Sequence, residues 1–359
     1  MRIRHLGFCV LLSALSSCNP RSEKDNNTSK LEAPADPLKH PSLQPFEGRA
    51  DNFLCVAISY DGTKVAAGTL NTQIEGQPES GKGEIWIWDA IGGQVKSVLH
   101  GHQKSVIDIC FLKDGQTLVS LSSDSTIRIW DLDTSNQIRS ISVSRSGFTH
   151  KMCLIPGDKS VIVGTSQHSD KNKSKVPDIN QLSLYDLGTG NLVRTFGSHK
   201  HPINDISISG DGSLVATATG HAHLWDVSNG KLVETFQEPG VIRSVALSDD
   251  GTKLITGNGY GIIIYRDLEK GAIEHHPLHT KAETGEQFEE VTTVSFSEDG
   301  KWVAAGGWSK RITAWELESE DYLFWEFDDW VSDIHFAPGY EHIFASLWSP
   351  YLEKLPLTD

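Results

Sequence analysis

One short pattern returns along this chain, opening at residues 53–62, 106–115, 148–158, 203–212, 241–251, 291–300 and 331–339. Its clearest copy reads Val106-Ile-Asp-Ile-Cys-Phe-Leu-Lys-Asp-Gly115, then Thr117-Leu-Val-Ser120, then Ser123-Asp-Ser-Thr-Ile-Arg-Ile-Trp-Asp131. Repeats spaced by roughly 40–45 residues mark the blades of a β-propeller. Within each unit, short alternating apolar runs are bounded by Asp-Gly or similar turns, which reads as antiparallel strands joined by hairpins. Beyond residue 50 no window sustains the three-and-four spacing of an amphipathic helix. Four such runs per unit give an all-β array, and radial closure protects its sheet edges.

The third run of most units ends in an aromatic followed by an acid: Trp88-Asp89, Trp130-Asp131, Tyr185-Asp186, Trp225-Asp226 and Trp315-Glu316, with the looser Tyr265-Arg266-Asp267 in the fifth. With Gly101-His102 before the second unit, these endings resemble WD40 repeats over essentially everything after residue 43. The resemblance implies a seven-bladed WD40-type propeller. It also implies a structural hydrogen-bonding tetrad in blade two, made of His102, Ser120, Asp124 and Trp130. Physically, the turn carboxylate accepts from the imidazole, which links through the hydroxyl to the indole N–H. Such a chain satisfies buried polar groups and sets strand packing. Blade four keeps His199 and Trp225 but has a shortened turn without the acid, and blade six has Ser309 where the acid falls. The seventh unit supplies three strands, so Ser42-Leu-Gln-Pro-Phe-Glu-Gly48 is expected to close it as the fourth, in preference to a six-bladed ring with a loose tail.

The front of the chain reads as an address. Arg2 and Arg4 precede an apolar stretch too short to span a bilayer, so residues 1–17 are expected to be a signal peptide. Leu15-Ser-Ser-Cys18 resembles the bacterial lipobox, which implies lipidation at Cys18 and attachment to the cell envelope. Two or three acyl chains hold firmly where one does not. Residues 18–41, rich in Asn, Ser, Lys, Glu and Pro, are expected to form a disordered tether, with a reach of roughly 25–30 Å r.m.s.. The propeller then occupies residues 42–359.

The net charge is −15, and it becomes −17 once Arg2 and Arg4 leave with the signal (32 − 2 − 47). That acidity argues against nucleic acid and against direct adsorption to anionic lipid. Cys55, Cys110 and Cys153 fall in first strands and are expected to be buried fillers at the hub. Their odd number is no disulfide framework.

Three insertions, 71–82, 167–180 with its Lys171-Asn-Lys-Ser-Lys175 cluster, and 279–290, map to the face shared by the second-to-third-strand loops and the blade-to-blade loops. Long loops on a rigid scaffold carry binding. On that face Trp308 and Trp348 hold equivalent turn positions in blades six and seven, Trp330 joins those blades, and Tyr260 holds a neighbouring turn. These rings, rimmed by Asp328, Asp329 and Arg311, have the composition of an interface hot spot. Trp302, Trp315 and Trp325 lie within strands and read as structural.

Chemistry is thinly represented. The pairs His100/His102, His199/His201 and His221/His223 and the run His275-His276-Pro-Leu-His279 lack a third convergent ligand, so no metal is expected. No nucleophile elbow, phosphate loop or HExxH stands in the chain. Gly188-Thr-Gly190 superficially suggests a quinoprotein relative, but the Trp-Asp endings favour the first resemblance. The expectation is a monomeric, cofactor-free, non-catalytic platform that binds protein partners in the envelope. An envelope glycan binder and a quinoprotein-like enzyme are the alternatives.

Overall fold

The computed structural model describes residues 52–70, 82–143, 148–167, 179–277, 290–319, 322–339, 341–348 and 352–357. The signal segment, Cys18, the tether and the 42–48 closing strand lie outside the described residues, as do most residues of the three insertions. The chain divides into Met1–Pro37 and Leu38–Asp359, and the description concerns the second unit.

The described residues form seven antiparallel sheets, six of four strands and a last of three. Blade two runs Val106–Phe111, Thr117–Ser122, Thr126–Asp131 and Asn136–Ser142 from hub to rim. The other inner strands are Phe53–Ile58, Phe148–Leu154, Asp205–Ile208, Ile242–Leu247, Val291–Phe296 and Val331–Phe336. Each packs on the inner strand of the next blade, and Phe53–Ile58 also packs on Val331–Phe336, so the ring is closed. At that closure Phe53, Val56 and Trp88 share a core with Phe344 and Leu352, and the Ser332 hydroxyl donates to the Phe53 carbonyl at 3.0 Å.

Local chemistry explains the strand ends. In Ser59-Tyr-Asp-Gly-Thr63 the Ser59 hydroxyl donates to Asp61 at 2.6 Å and accepts the Lys64 N–H at 2.9 Å. The same device recurs at Ser209/Asp211, Ser248/Asp250 and Ser297/Asp299. The glycine after each acid takes φ between 66° and 72° at Gly62, Gly212, Gly251 and Gly300, a region that costs other residues more. Bonds from Ser59 and Thr63 hold the Asp61 carboxyl down to about 2.

The hub has a polar ring that composition does not announce. One level of the channel is built by the equivalent residue of each inner strand: Cys55, Asp108, Lys151, Asp205, Ser244, Thr293 and Asp333. The acids reach across blade junctions. Asp108 accepts the Met152 N–H at 2.7 Å, Asp205 the Val245 N–H at 3.0 Å, and Asp333 the Val56 N–H at 3.2 Å. Lys151 Nζ stands 3.6 Å from Asp333. A central cavity of about 360 Å³ runs past this ring and the next, where Cys110, Cys153, Ser207, Ser295 and His335 face it. The three thiols are free, and burial pushes each of them up. Cys110 and Cys153 line the channel, while Cys55 is a fully buried filler.

Candidate functional site

In blade two all four tetrad members meet. His102 Nδ1 lies 2.9 Å from Asp124, His102 Nε2 lies 2.7 Å from Ser120 Oγ, and the Trp130 indole N–H donates to Ser120 Oγ at 2.8 Å. Burial lowers the His102 pKa despite the opposing pull of Asp124, so the ring is neutral. It donates from Nδ1 to Asp124 and accepts from Ser120 at Nε2. Burial pushes the Asp124 carboxyl up, but bonds from His102, Thr126 and Gln103 outweigh it and hold the group below the usual carboxylate range.

Blade four is a tetrad with one corner missing. His199 Nε2 lies 3.0 Å from Thr217 Oγ1, and the Trp225 indole N–H donates to Thr217 at 3.2 Å. With no acid in the shortened turn, His199 Nδ1 is buried without a partner among the described residues. Burial, with the His223 ring 5.2 Å away, lowers its pKa to about 4. A histidine depressed in this way keeps its stabilising contribution above its ordinary value near 6.5, and loses it as pH falls through 4. The unfolded chain takes the proton first, so up to about 3 kcal/mol is lost across that window. The urea midpoint of the wild type should therefore fall between pH 7 and pH 4. The gap between wild type and His199→Gln should narrow over the same range, and a gap that holds constant would contradict the assignment.

Blade five departs from the pattern in a way its sequence did not announce. Arg266 stands in the tryptophan position, opposite Leu254, as Trp130 stands opposite Leu118. Glu238 takes the histidine place and Thr256 the serine place. Arg266 pairs with Glu238 at 2.5 Å, and Thr256 Oγ1 donates to both Glu238 oxygens at 2.8 and 2.7 Å. The guanidinium also lies 5.2 Å over the Phe236 ring. Glu238 and Arg266 side chains are 1% and 8% exposed, so this is a buried ion pair standing in for a neutral network.

Among the described residues no group of three ligating side chains could hold a metal, and His279 lies outside them. His100 instead faces Glu84 at 3.3 Å.

The aromatic arc of blades six and seven is real and outward-facing. Trp308, Trp330 and Trp348 are 49%, 40% and 39% exposed, half-open where a core indole such as Trp130 is 1% exposed. Trp308 and Trp330 stack at 5.6 Å with planes 23° apart, and Trp330 meets Trp348 at 6.1 Å and 52°. Backbone ladders fix all three. The Trp348 N–H donates to the Trp330 carbonyl at 2.8 Å and the Trp308 N–H to the Glu290 carbonyl at 3.1 Å. Gly307 permits the second contact, since a Cβ there would collide with that carbonyl. Trp315 and Trp325 are core, 7% and 6% exposed, and Trp302 packs against the cluster that holds Trp325.

Two expected members of the arc stand differently. Arg311 is not a rim charge: its side chain is 15% exposed, paired with Glu326 at 2.6 Å on the neighbouring strand and stacked 4.6 Å over Phe324. The cross-strand register Arg311↔Glu326 turns it along the blade. Tyr260 is exposed as expected, but its ring lies over Gly240, where a Cβ would come within 2.5 Å of it. Of the two acids, Asp329 has its carboxylate on the arc's backbone, and Asp328 contributes its carbonyl. Asp329 accepts the Trp330 N–H at 2.8 Å, and the Lys310 ammonium donates to the Asp328 carbonyl at 2.8 Å.

Fold and geometry together define a seven-bladed β-propeller that carries an exposed arc of three indoles. The profile of the family described as "WD domain, G-beta repeat" matches residues 93–131, 190–226 and 277–316, so these stretches are WD40 repeats. The chain is similar to periodic tryptophan protein 2 of Arabidopsis thaliana, 21% identical over 77% of this chain and 30% of that protein. It is also similar to autophagy-related protein 16 of Arabidopsis thaliana, 26% identical over 65% of this chain and 43% of that protein. Cross-pathway control WD-repeat protein 2 of Flammulina velutipes is 25% identical over 63% of this chain and 83% of that protein. The match thus spans less than half the length of the first two relatives.

Proposed function

We propose that this protein is a non-catalytic interaction platform, held at the bacterial cell envelope by a lipid on Cys18, that docks a partner protein on the face carrying Trp308, Trp330 and Trp348. WD40 propellers generally serve as protein-binding scaffolds, which supports the class. The observation that carries the site is the run of three half-exposed indoles, Trp308 stacked on Trp330 and Trp330 tilted against Trp348. Rigid aromatics on a fixed backbone are the residues on which interface energy concentrates. The lipobox-like Leu15-Ser-Ser-Cys18 and the polar segment behind it support the anchor.

One experiment in native envelopes tests both halves. Crosslinked partner should fall by at least about 30-fold in the Trp308→Ala/Trp348→Ala variant, since each hot-spot truncation costs about 2 kcal/mol or more. The denaturation midpoint should stay within about 1 kcal/mol of wild type, as for other exposed substitutions. In parallel, Cys18→Ala should move the protein from the membrane fraction to the soluble one. Unfolding of the double variant would make the indoles core residues and end the site assignment. Unchanged fractionation of Cys18→Ala would end the anchor.

A further inference from the structure

The charges around the indoles say what kind of side chain they suit. Among the described residues, the cations near the arc already have partners. Arg311 is spent on Glu326 at 2.6 Å, Arg243 on Glu290 at 2.8 Å, and Lys310 on the Asp328 backbone carbonyl. The carboxylates of Asp328 and Asp329 pair with no cation among the described residues, although they flank Trp330 in sequence and Asp329 caps its N–H. The carboxylates of Asp328 and Asp329 against the one Lys310 ammonium, whose carbonyl partner is neutral, leave the described residues around the arc net negative, on a chain whose net charge is −15. Indole faces are themselves the most favourable aromatic surface for a cation.

The geometry also limits how a ligand can lie. Trp308 and Trp330 are already in stacking contact at 5.6 Å, so no group slots between them. A ligand must therefore lie against the solvent-facing side of the arc, beside the Asp329 carboxylate that caps the Trp330 backbone N–H. A planar guanidinium does both, stacking on indole and forking to carboxylate, whereas a compact ammonium does only the second well.

We propose that the Trp308–Trp330–Trp348 arc takes an arginine-bearing segment of the partner protein, its guanidinium lying on the indoles and its charge received by Asp328 and Asp329. This rests on the docking reading above and specifies the partner's chemistry. Long-range attraction between the acidic propeller and a basic segment speeds the encounter, and salt weakens it.

The test uses the full chain and two synthetic probes: an arginine–proline peptide, and the same peptide with citrulline at each arginine, which keeps the shape and removes the charge. The arginine peptide should perturb the indole N–H resonances of Trp308, Trp330 and Trp348, and the citrulline peptide should bind about ten-fold more weakly or worse. Asp328→Asn/Asp329→Asn should weaken the arginine peptide by about ten-fold and flatten its salt dependence, leaving the fold intact. Equal binding of both peptides, or of wild type and the aspartate variant, overturns the inference. So does binding of neither peptide while Trp308→Ala/Trp348→Ala still loses its crosslinked partner, and in that case the docking site itself stands. If the tryptophan variant keeps its partner, the docking reading fails first and the inference with it.

Discussion

Glu238→Ala should destabilise the propeller by about 3–5 kcal/mol, the usual cost of breaking a buried ion pair from one side. The substitution leaves Arg266, whose side chain is 8% exposed, without the carboxylate it meets at 2.5 Å. It also strands the Thr256 hydroxyl, which donates to both oxygens of that carboxylate. The informative companion is Glu238→His/Arg266→Trp. Thr256 already offers the hydroxyl that Thr217 offers in blade four, where His199 and Trp225 meet it at 3.0 and 3.2 Å. Replacing a buried ion pair by well-packed uncharged side chains removes its desolvation cost, and with apolar residues of similar volume the exchange is often neutral or stabilising. The double variant should therefore recover most of the loss, read as the urea midpoint of blade-five unfolding. Recovery no better than Glu238→Ala alone would show that the ion pair does not occupy the tetrad's place.

The blade-two tetrad was legible because its residue types and spacing are peculiar to it, and the structure joins them at hydrogen-bonding distance. The blade-five pair was not, because Glu238, Thr256 and Arg266 match no motif and meet only once three separate segments come into register. Trp308, Trp330 and Trp348 were legible from their turn positions alone, since a large ring at a hairpin end has little core to enter. Arg311 was misread for the opposite reason. It begins a strand, and its direction is set by Glu326 and Phe324 on the next strand, which spacing does not display. The hub ring lay half in view. Period-two alternation puts Asp108 and Asp333 on the channel side of their strands, but only closure of the ring makes residues so far apart in sequence share a field.

That shared field yields the other large effect. Lys151 is the single cation of a ring level holding Asp108, Asp205 and Asp333, and it lies 3.6 Å from Asp333. Burial works against its charge, yet the three carboxylates hold its pKa well above the ordinary lysine value. Even with Lys151 in place, burial pushes Asp108 up to about 6 and raises Asp205 as well. Lys151→Met leaves like charges facing one another across the channel, and about 2–3 kcal/mol of stability should be lost near neutral pH, less than for a fully buried pair because the Lys151 side chain is 24% exposed. The sign of the pH dependence identifies the cause. A carboxyl whose folded pKa is raised contributes stability that is complete below its unfolded value near 4 and is lost as pH rises through the folded value. Removing the ammonium raises those folded values further, so the penalty of Lys151→Met should be large at pH 7.5 and shrink as pH falls below 6. Adding Asp108→Asn should remove part of the repulsion and return part of the loss, while the Met152 N–H keeps an acceptor in the Asn carbonyl. A penalty equal at pH 7.5 and pH 5 would assign it to lost packing of the lysine stem instead of to the field of the ring.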